Sequence, residues 1–160
     1  MSLVVEVLQE ELDDLVKDLQ KRHQQLGMKA TSNWLRQLET EVYQVGTRYV
    51  GKVLGTFYTY FLVNGRKPGK RPPSKVIEKW IRVKGITPKG DITVKQLAFL
   101  IARKIGEFGT KYYRQGGTDL ISSVVTPARI ESIINKVVRA YEEETIPALQ
   151  ENLKSEFASL

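Results

Sequence analysis

The chain has 160 residues, 41% of them hydrophobic and 27% charged, and carries a net charge of +7. That length suits a single domain with a core large enough to hold without cross-links, and the composition is that of an ordinary globular protein. The lack of cysteine excludes disulfides and thiolate metal sites, no apolar run approaches the roughly 20 residues of a membrane span, and Met1-Ser2-Leu3-Val4-Val5-Glu6 has neither the basic flank nor the long apolar core of a secretory signal.

Val5, Leu8, Leu12, Leu15, Val16 and Leu19 recur mostly at three- and four-residue steps. This predicts an amphipathic helix over residues 4–26, with Gly27 as its stop. Its single histidine, His23, is expected on a solvated, charged helix end. Thr31 or Ser32 can cap a short second helix carrying Trp34, Leu35 and Leu38. From Thr40 the residues become β-branched and aromatic, and two strands, 39–45 and 48–54, are expected around a turn at Gly46-Thr47.

Phe57, Tyr58, Tyr60, Phe61 and Leu62 form an aromatic block, read either as core or as the seat of a subunit contact. The ten residues 64–73 hold three prolines and two glycines, which excludes a regular helix or a central strand. Ser74 opens a helix with Val76, Ile77, Trp80 and Ile81 on one face, ended by Gly85. Thr93 and Gln96 have the spacing of a capping box. The helix behind them carries Leu97, Leu100, Ile101 and Ile105 to about Phe108, with Gly106 a weak point and Gly109 its terminator. Residues 111–117 are expected as a loop. Thr126-Pro127 opens the last helix, with Ile130, Ile133, Ile134, Val137, Val138 and Tyr141 as its stripe. Pro147 is expected to kink or break it, and Leu149, Leu153 and Phe157 continue the apolar pattern. The fold class is α+β: a long N-terminal helix, a small antiparallel sheet or hairpin, two middle helices and a C-terminal helix. Residues 1–160 read as one domain, with 142–160 an acidic helical extension.

Charge is placed unevenly along this chain. From residue 63 to 90, nine basic residues face the single acid Glu78, a net of +8. Beyond Tyr141, Glu142, Glu143, Glu144, Glu151 and Glu156 face only Lys154. The basic stretch suits phosphate backbones or acidic protein surfaces. Its aromatics precede the loop as a block and do not alternate with the lysines and arginines, which favours core packing over base stacking.

Catalytic chemistry is sparse. One histidine and no cysteine exclude the common zinc sites and Cys–His nucleophile pairs. Gly65-Arg66-Lys67-Pro68-Gly69-Lys70 is not a P-loop: its glycines are too close, and Arg71 stands where the magnesium-binding hydroxyl belongs. The pairs Glu10/Glu11 and Asp13/Asp14 and the run Glu142 to Glu144 lie on charged helix faces, without the apolar surroundings that raise the pKa of a general acid. No enzyme, cofactor or metal site is expected.

The segment Tyr58-Thr59-Tyr60-Phe61-Leu62-Val63-Asn64-Gly65-Arg66-Lys67-Pro68-Gly69-Lys70-Arg71-Pro72-Pro73 resembles a stretch of small tailed-phage virion proteins, the tail-completion or head–tail connector (neck) proteins. There an aromatic and aliphatic run precedes a glycine turn and a basic, proline-rich segment. Ile77-Glu78-Lys79-Trp80-Ile81-Arg82, Leu100-Ile101-Ala102-Arg103-Lys104-Ile105 and Phe108-Gly109-Thr110-Lys111 are similar to the helices that follow. The opening helix and Leu26-Gly27-Met28-Lys29-Ala30-Thr31-Ser32 are similar to the family's start. The likeness covers about residues 5–140; Gly106 and the acidic tail depart from it.

The resemblance implies a subunit of a ring in the neck of the virion, made in the host cytoplasm. Such rings lie between the portal side of the head and the tail tube, with DNA passing through. The implied partners are further copies of the chain, other neck, portal-side or tail-tube proteins, and DNA contacted at its backbone without sequence preference; no membrane is involved. Arg66, Lys67, Lys70, Arg71, Lys75 and Lys79 are the expected partner or DNA surface, with Tyr58, Tyr60 and Phe61 supporting them. The charge asymmetry suggests that the basic middle of one subunit meets the acidic C-terminal segment of the next. The alternative is a nucleic-acid-binding module that uses the basic loop 64–73.

Overall fold

The computed structural model describes residues 2–28 and 33–159. The chain is α+β, in the order α1 (Leu3–Gln25), α2 (Asn33–Arg36), β1 (Glu39–Val45), β2 (Arg48–Leu54), α3 (Tyr58–Asn64), α4 (Ser74–Val83), α5 (Val94–Phe108), α6 (Lys111–Arg114) and α7 (Pro127–Ala158). It divides into two compact units. One comprises Met1–Gln20, Leu38–Leu54 and Ser122–Leu160, the other Lys21–Gln37 and Gly55–Ile121.

The first unit is built on the apolar stripe of α1. Val4, Leu8, Leu12, Leu15 and Leu19 are all buried, each contributing about 2 kcal/mol relative to exposure. The hairpin β1–β2 is antiparallel, with Thr40 opposite Val53, Val42 opposite Gly51 and Gln44 opposite Tyr49. Its two-residue loop places Gly46 at φ 59°, the left-handed conformation that tight hairpin turns require at their first central residue. An isolated two-stranded hairpin is marginal in water, and this one lays a face on α1. Gln9 Nε2 donates to Thr40 Oγ1 at 2.6 Å, and the Thr40 hydroxyl donates to Asp13 Oδ1 at 2.8 Å. A Cβ at Gly51 would come within 2.9 Å of a Leu12 methyl, so glycine is what lets β2 approach the helix. α7 runs antiparallel to α1 along a row of polar contacts: Arg129 with Asp18 at 3.1 Å, Lys136 with Glu11, and Ser2 Oγ with Glu144 at 2.8 Å. Ile133 and Ala140 are the buried apolar residues of α7, and Tyr141 meets Tyr49 edge-on at 6.5 Å.

The second unit has Met28, Trp34, Leu62, Ile81, Ala98, Ala102 and Leu120 as its buried apolar residues. α4 packs on α5 and α3 on α6. The capping box of α5 forms as its spacing predicts: Thr93 Oγ1 accepts from the Gln96 N–H at 3.2 Å, and Gln96 Oε1 accepts from the Thr93 N–H at 2.8 Å. Thr126 and Pro127 likewise open α7.

Several expectations are corrected. His23 is only 3% exposed; lying four residues beyond Leu19, it extends the buried stripe of α1. Its ring stacks on Trp34, centroids 4.9 Å apart. Burial first, and then the charge of Lys84, push its pKa below the ordinary 6.5, so it is neutral near pH 7. The second helix lacks Leu38, which lies past its end, and the caps proposed at Thr31 and Ser32 fall outside the described residues. Residues 111–114 form a turn of helix, because the Thr110 side chain accepts from the Tyr113 N–H and caps it. α7 continues through Pro147. The missing N–H there removes one helical bond, but the surrounding residues are exposed and water can reach the freed carbonyl. Leu100, expected inward, is 41% exposed; α5 instead buries Ala98 and Ala102, small residues that permit a close approach.

Candidate interaction surface

Residues 65–73 connect α3 to α4, and every anchor of this connection is short-range chemistry. Gly65 caps α3 at φ 72°, donating its N–H to the Phe61 carbonyl. A Cβ there would sit 2.2 Å from the Tyr113 nitrogen, so no other residue fits. Arg66 is held through both backbone groups: its N–H donates to Thr110 Oγ1 and its carbonyl accepts from the Thr110 N–H, each at 2.9 Å. The Gly69 N–H donates to the Gly106 carbonyl at 2.8 Å. Pro72 is buried. The Arg66 guanidinium turns back to the Lys70 carbonyl at 2.9 Å, tying the loop to itself. The loop is thus clamped to the C-terminal end of α5 and to the cap of α6.

Gly106 explains itself in this setting. A Cβ on it would come 2.6 Å from Arg71 Cγ and 3.2 Å from the Gly69 carbonyl oxygen. What reads in the sequence as a weak point within a helix is the place where the loop lies against it.

The backbone contacts leave the charges outward. Lys67, Lys70 and Arg71 are exposed in the loop, as are Lys75 and Lys79 on α4, while Arg66 is half-buried. Lys75 and Lys79, four residues apart, share one helical face with Arg82. Lys67, Lys70, Arg71, Lys75 and Lys79 make no ion pair among the described residues; the acid of this stretch, Glu78, is 3.8 Å from Arg82. All six residues expected at the surface therefore belong to one continuous stretch of loop and helix, and five of them carry uncompensated charge.

The aromatic block folds as α3, and a helix radiates successive side chains around its axis. Only Leu62 is buried there. Phe57 is 84% exposed, Tyr58 53% and Tyr60 65%, so the core reading fails for these three. Phe61 is the hub of the group: its centroid lies 6.3 Å from Phe57, 6.3 Å from Tyr58 and 5.6 Å from Tyr60. The result is an aromatic surface directly preceding the basic loop.

Further exposed apolar side chains escaped the sequence reading: Val83, Ile92, Phe99 and Phe108. The available signal was the pair Ala98 and Ala102, whose burial turns Phe99 and Leu100 outward.

No group of three or more potential metal-ligating side chains occurs among the described residues, and no helix among them is long and apolar enough to cross a membrane. The carboxylates along α1 line an open depression of about 540 Å³ with Val5, Val42 and Lys17. Asp14 there is held below the usual carboxylate range by its hydrogen bond to Lys17 and by that residue's charge, the opposite of what a general acid needs. The chain matches no protein-family model, no curated protein and no solved structure.

Proposed function

We propose that the chain is a structural subunit of a tailed-phage particle, a tail-completion or head–tail connector protein forming a ring around the DNA channel of the neck, without catalysis or cofactor. One observation carries this reading beyond the resemblance itself. The two stretches in which the likeness is most specific, residues 58–73 and 100–111, are bonded to each other: Arg66 to Thr110 twice, and Gly69 to Gly106. The motif is a single built object, a rigid basic loop on a helix end. Such a loop presents Lys67, Lys70 and Arg71 to an acidic neighbour or a phosphate backbone with little ordering entropy left to lose.

The uncompensated charges also favour a second reading, a nucleic-acid-binding module. One genetic and one binding experiment separate the two. Deletion of the coding sequence from the genome that carries it should yield filled heads and tails that fail to join, seen by electron microscopy. Joined, infectious particles would refute the neck assignment. The nucleic-acid module instead requires the lone chain to bind duplex DNA tightly, with a log–log salt slope of about −4.5 for five phosphate contacts, lost when Lys67, Lys70 and Arg71 become Glu.

A further inference from the structure

The last turns of α7 carry an apolar stripe with nothing on it. Ile146, Leu149, Leu153 and Phe157 follow one another at steps of three, four and four, and are 50%, 56%, 47% and 74% exposed. On the same face, Glu142 lies four residues before Ile146 and Glu156 three after Leu153. Glu142 therefore precedes the stripe and Glu156 flanks its last residues, and residues 142–159 hold five acids against one lysine, a net of −4.

The second unit carries the reciprocal surface. On α5, Phe99 and Leu100 are 51% and 41% exposed. With Ile92, Lys95 and Gln96 they line a shallow depression of about 450 Å³. Lys95 stands one turn before Phe99 on the same face, and Arg103 and Lys104 stand one turn after Phe99 and Leu100. Here basic side chains bracket an apolar centre, with Arg103 itself 3.8 Å from Glu107 one turn on. Residues 75–108 hold eight basic side chains against three acidic, a net of +5. At about 1.5 Å of rise per residue, the apolar stripe from Ile146 to Phe157 is about 17 Å long and the α5 face from Lys95 to Lys104 about 14 Å.

From this match of apolar centre and rim charge we infer that the α7 stripe of one copy docks on the α5 face of a second copy of this chain. Apolar burial supplies the attraction, while the opposite-sign rims select the register and disfavour stripe-on-stripe or face-on-face pairing. The contact is heterologous, so each copy keeps one free stripe and one free face, and repetition builds a ring or an open chain. The inference rests on the neck reading only for closure into a ring.

The test uses the full chain and two variants altered at exposed positions, Leu149→Glu with Leu153→Glu and Phe99→Glu with Leu100→Glu, with masses read by light scattering after gel filtration. The wild type is expected to associate beyond a pair in a salt-sensitive manner. Each variant alone should run at the single-chain mass of 18.2 kDa. Mixed in equal amounts they should form a pair of twice that mass and no more, because one variant retains the face and the other the stripe. A wild type that stays monomeric at every concentration would overturn the contact, as would a Phe99/Leu100 variant that still self-associates, or a mixture that does not pair. None of these results touches whether heads and tails join without the protein, so this contact and the neck reading fail separately.

Discussion

Gly106→Ala decides whether the basic loop is built onto α5. Helix propensity alone says the change should stabilise, by up to about 1 kcal/mol for a glycine within a helix, since Gly106 has no left-handed conformation to protect. Packing says otherwise. The new methyl would sit 2.6 Å from Arg71 Cγ, 3.6 Å from Arg71 Cα and 3.2 Å from the Gly69 carbonyl oxygen, where carbon atoms favour about 3.5–4.0 Å. Arg71 Cγ lies next to the root of its side chain, so relief requires the loop to withdraw by about 1 Å. Withdrawal loses the Gly69–Gly106 hydrogen bond of 2.8 Å, worth about 1 kcal/mol net, on top of an overpacking cost of about 1–3 kcal/mol. After subtracting the propensity gain, the expected loss is about 1–3 kcal/mol in urea unfolding of the full chain. Trypsin should also cut faster after Arg66 and Lys70, the loop's basic residues not followed by proline, because withdrawal frees the backbone there. Adding Arg71→Ala removes the nearest contact and should restore most of the stability, a coupling that the double-mutant cycle measures. A Gly106→Ala protein that is more stable, with unchanged cleavage in the loop, would refute the clamp.

Two other outcomes follow from the same geometry. Thr93→Ala removes the side-chain half of the α5 capping box and should cost about 1 kcal/mol in chemical denaturation, with Thr93→Ser close to wild type; an alanine variant equal to wild type would mean that α5 does not start there. His23 has its folded pKa below the unfolded 6.5, through burial and then Lys84, so as pH falls the unfolded chain takes up the proton first. Its neutral form is fully compatible with the fold above about pH 6.5, and stability should decline below that value, by at most about 1.4 kcal/mol per pH unit for one proton. Urea midpoints from about pH 7.5 to about pH 5.5 test this: the slope should shrink in His23→Gln, and an equal slope in both proteins would show that other groups govern it.

The parts of the fold that were legible in the sequence are those settled within a few residues. Gly46-Thr47 between two β-rich runs marks both strands to the residue, because a two-residue turn leaves the register no freedom. Thr93 with Gln96, Thr126 with Pro127, and Gly109 likewise place helix ends through bonds that each segment makes with itself. Burial was less legible, because a partner element decides it. The apolar residues of α5 suggest an inward Leu100, yet two alanines face in. The aromatics of 57–61 look like core material, yet their helix offers only Leu62 to the interior. His23 was misplaced although its signal was present, four residues on from Leu19 in a stripe already recognised. Of the candidate site, the basic residues could be named from charge and proline content. What holds them, Gly106 and Thr110 bonded back to the loop across about forty residues, could not, since no local pattern encodes a contact at that separation.

The same distinction bears on what the surface is for. A lone soluble chain gains nothing from exposing Phe57, Phe99 and Phe157, and each costs solubility. Here the exposed apolar groups are ordered into sets: the α3 aromatics that lead directly into the basic loop, the α5 face with its basic rim, and the α7 stripe flanked by Glu142 and Glu156. Scattered hydrophobic residues need no explanation, but sets edged by charge of opposite sign do. A single-copy nucleic-acid-binding module would use the loop and leave the other two sets idle. A subunit that repeats head to tail uses both, and leaves the loop free for whatever passes through or abuts the assembly. That economy is why the neck reading is preferred over the binding module.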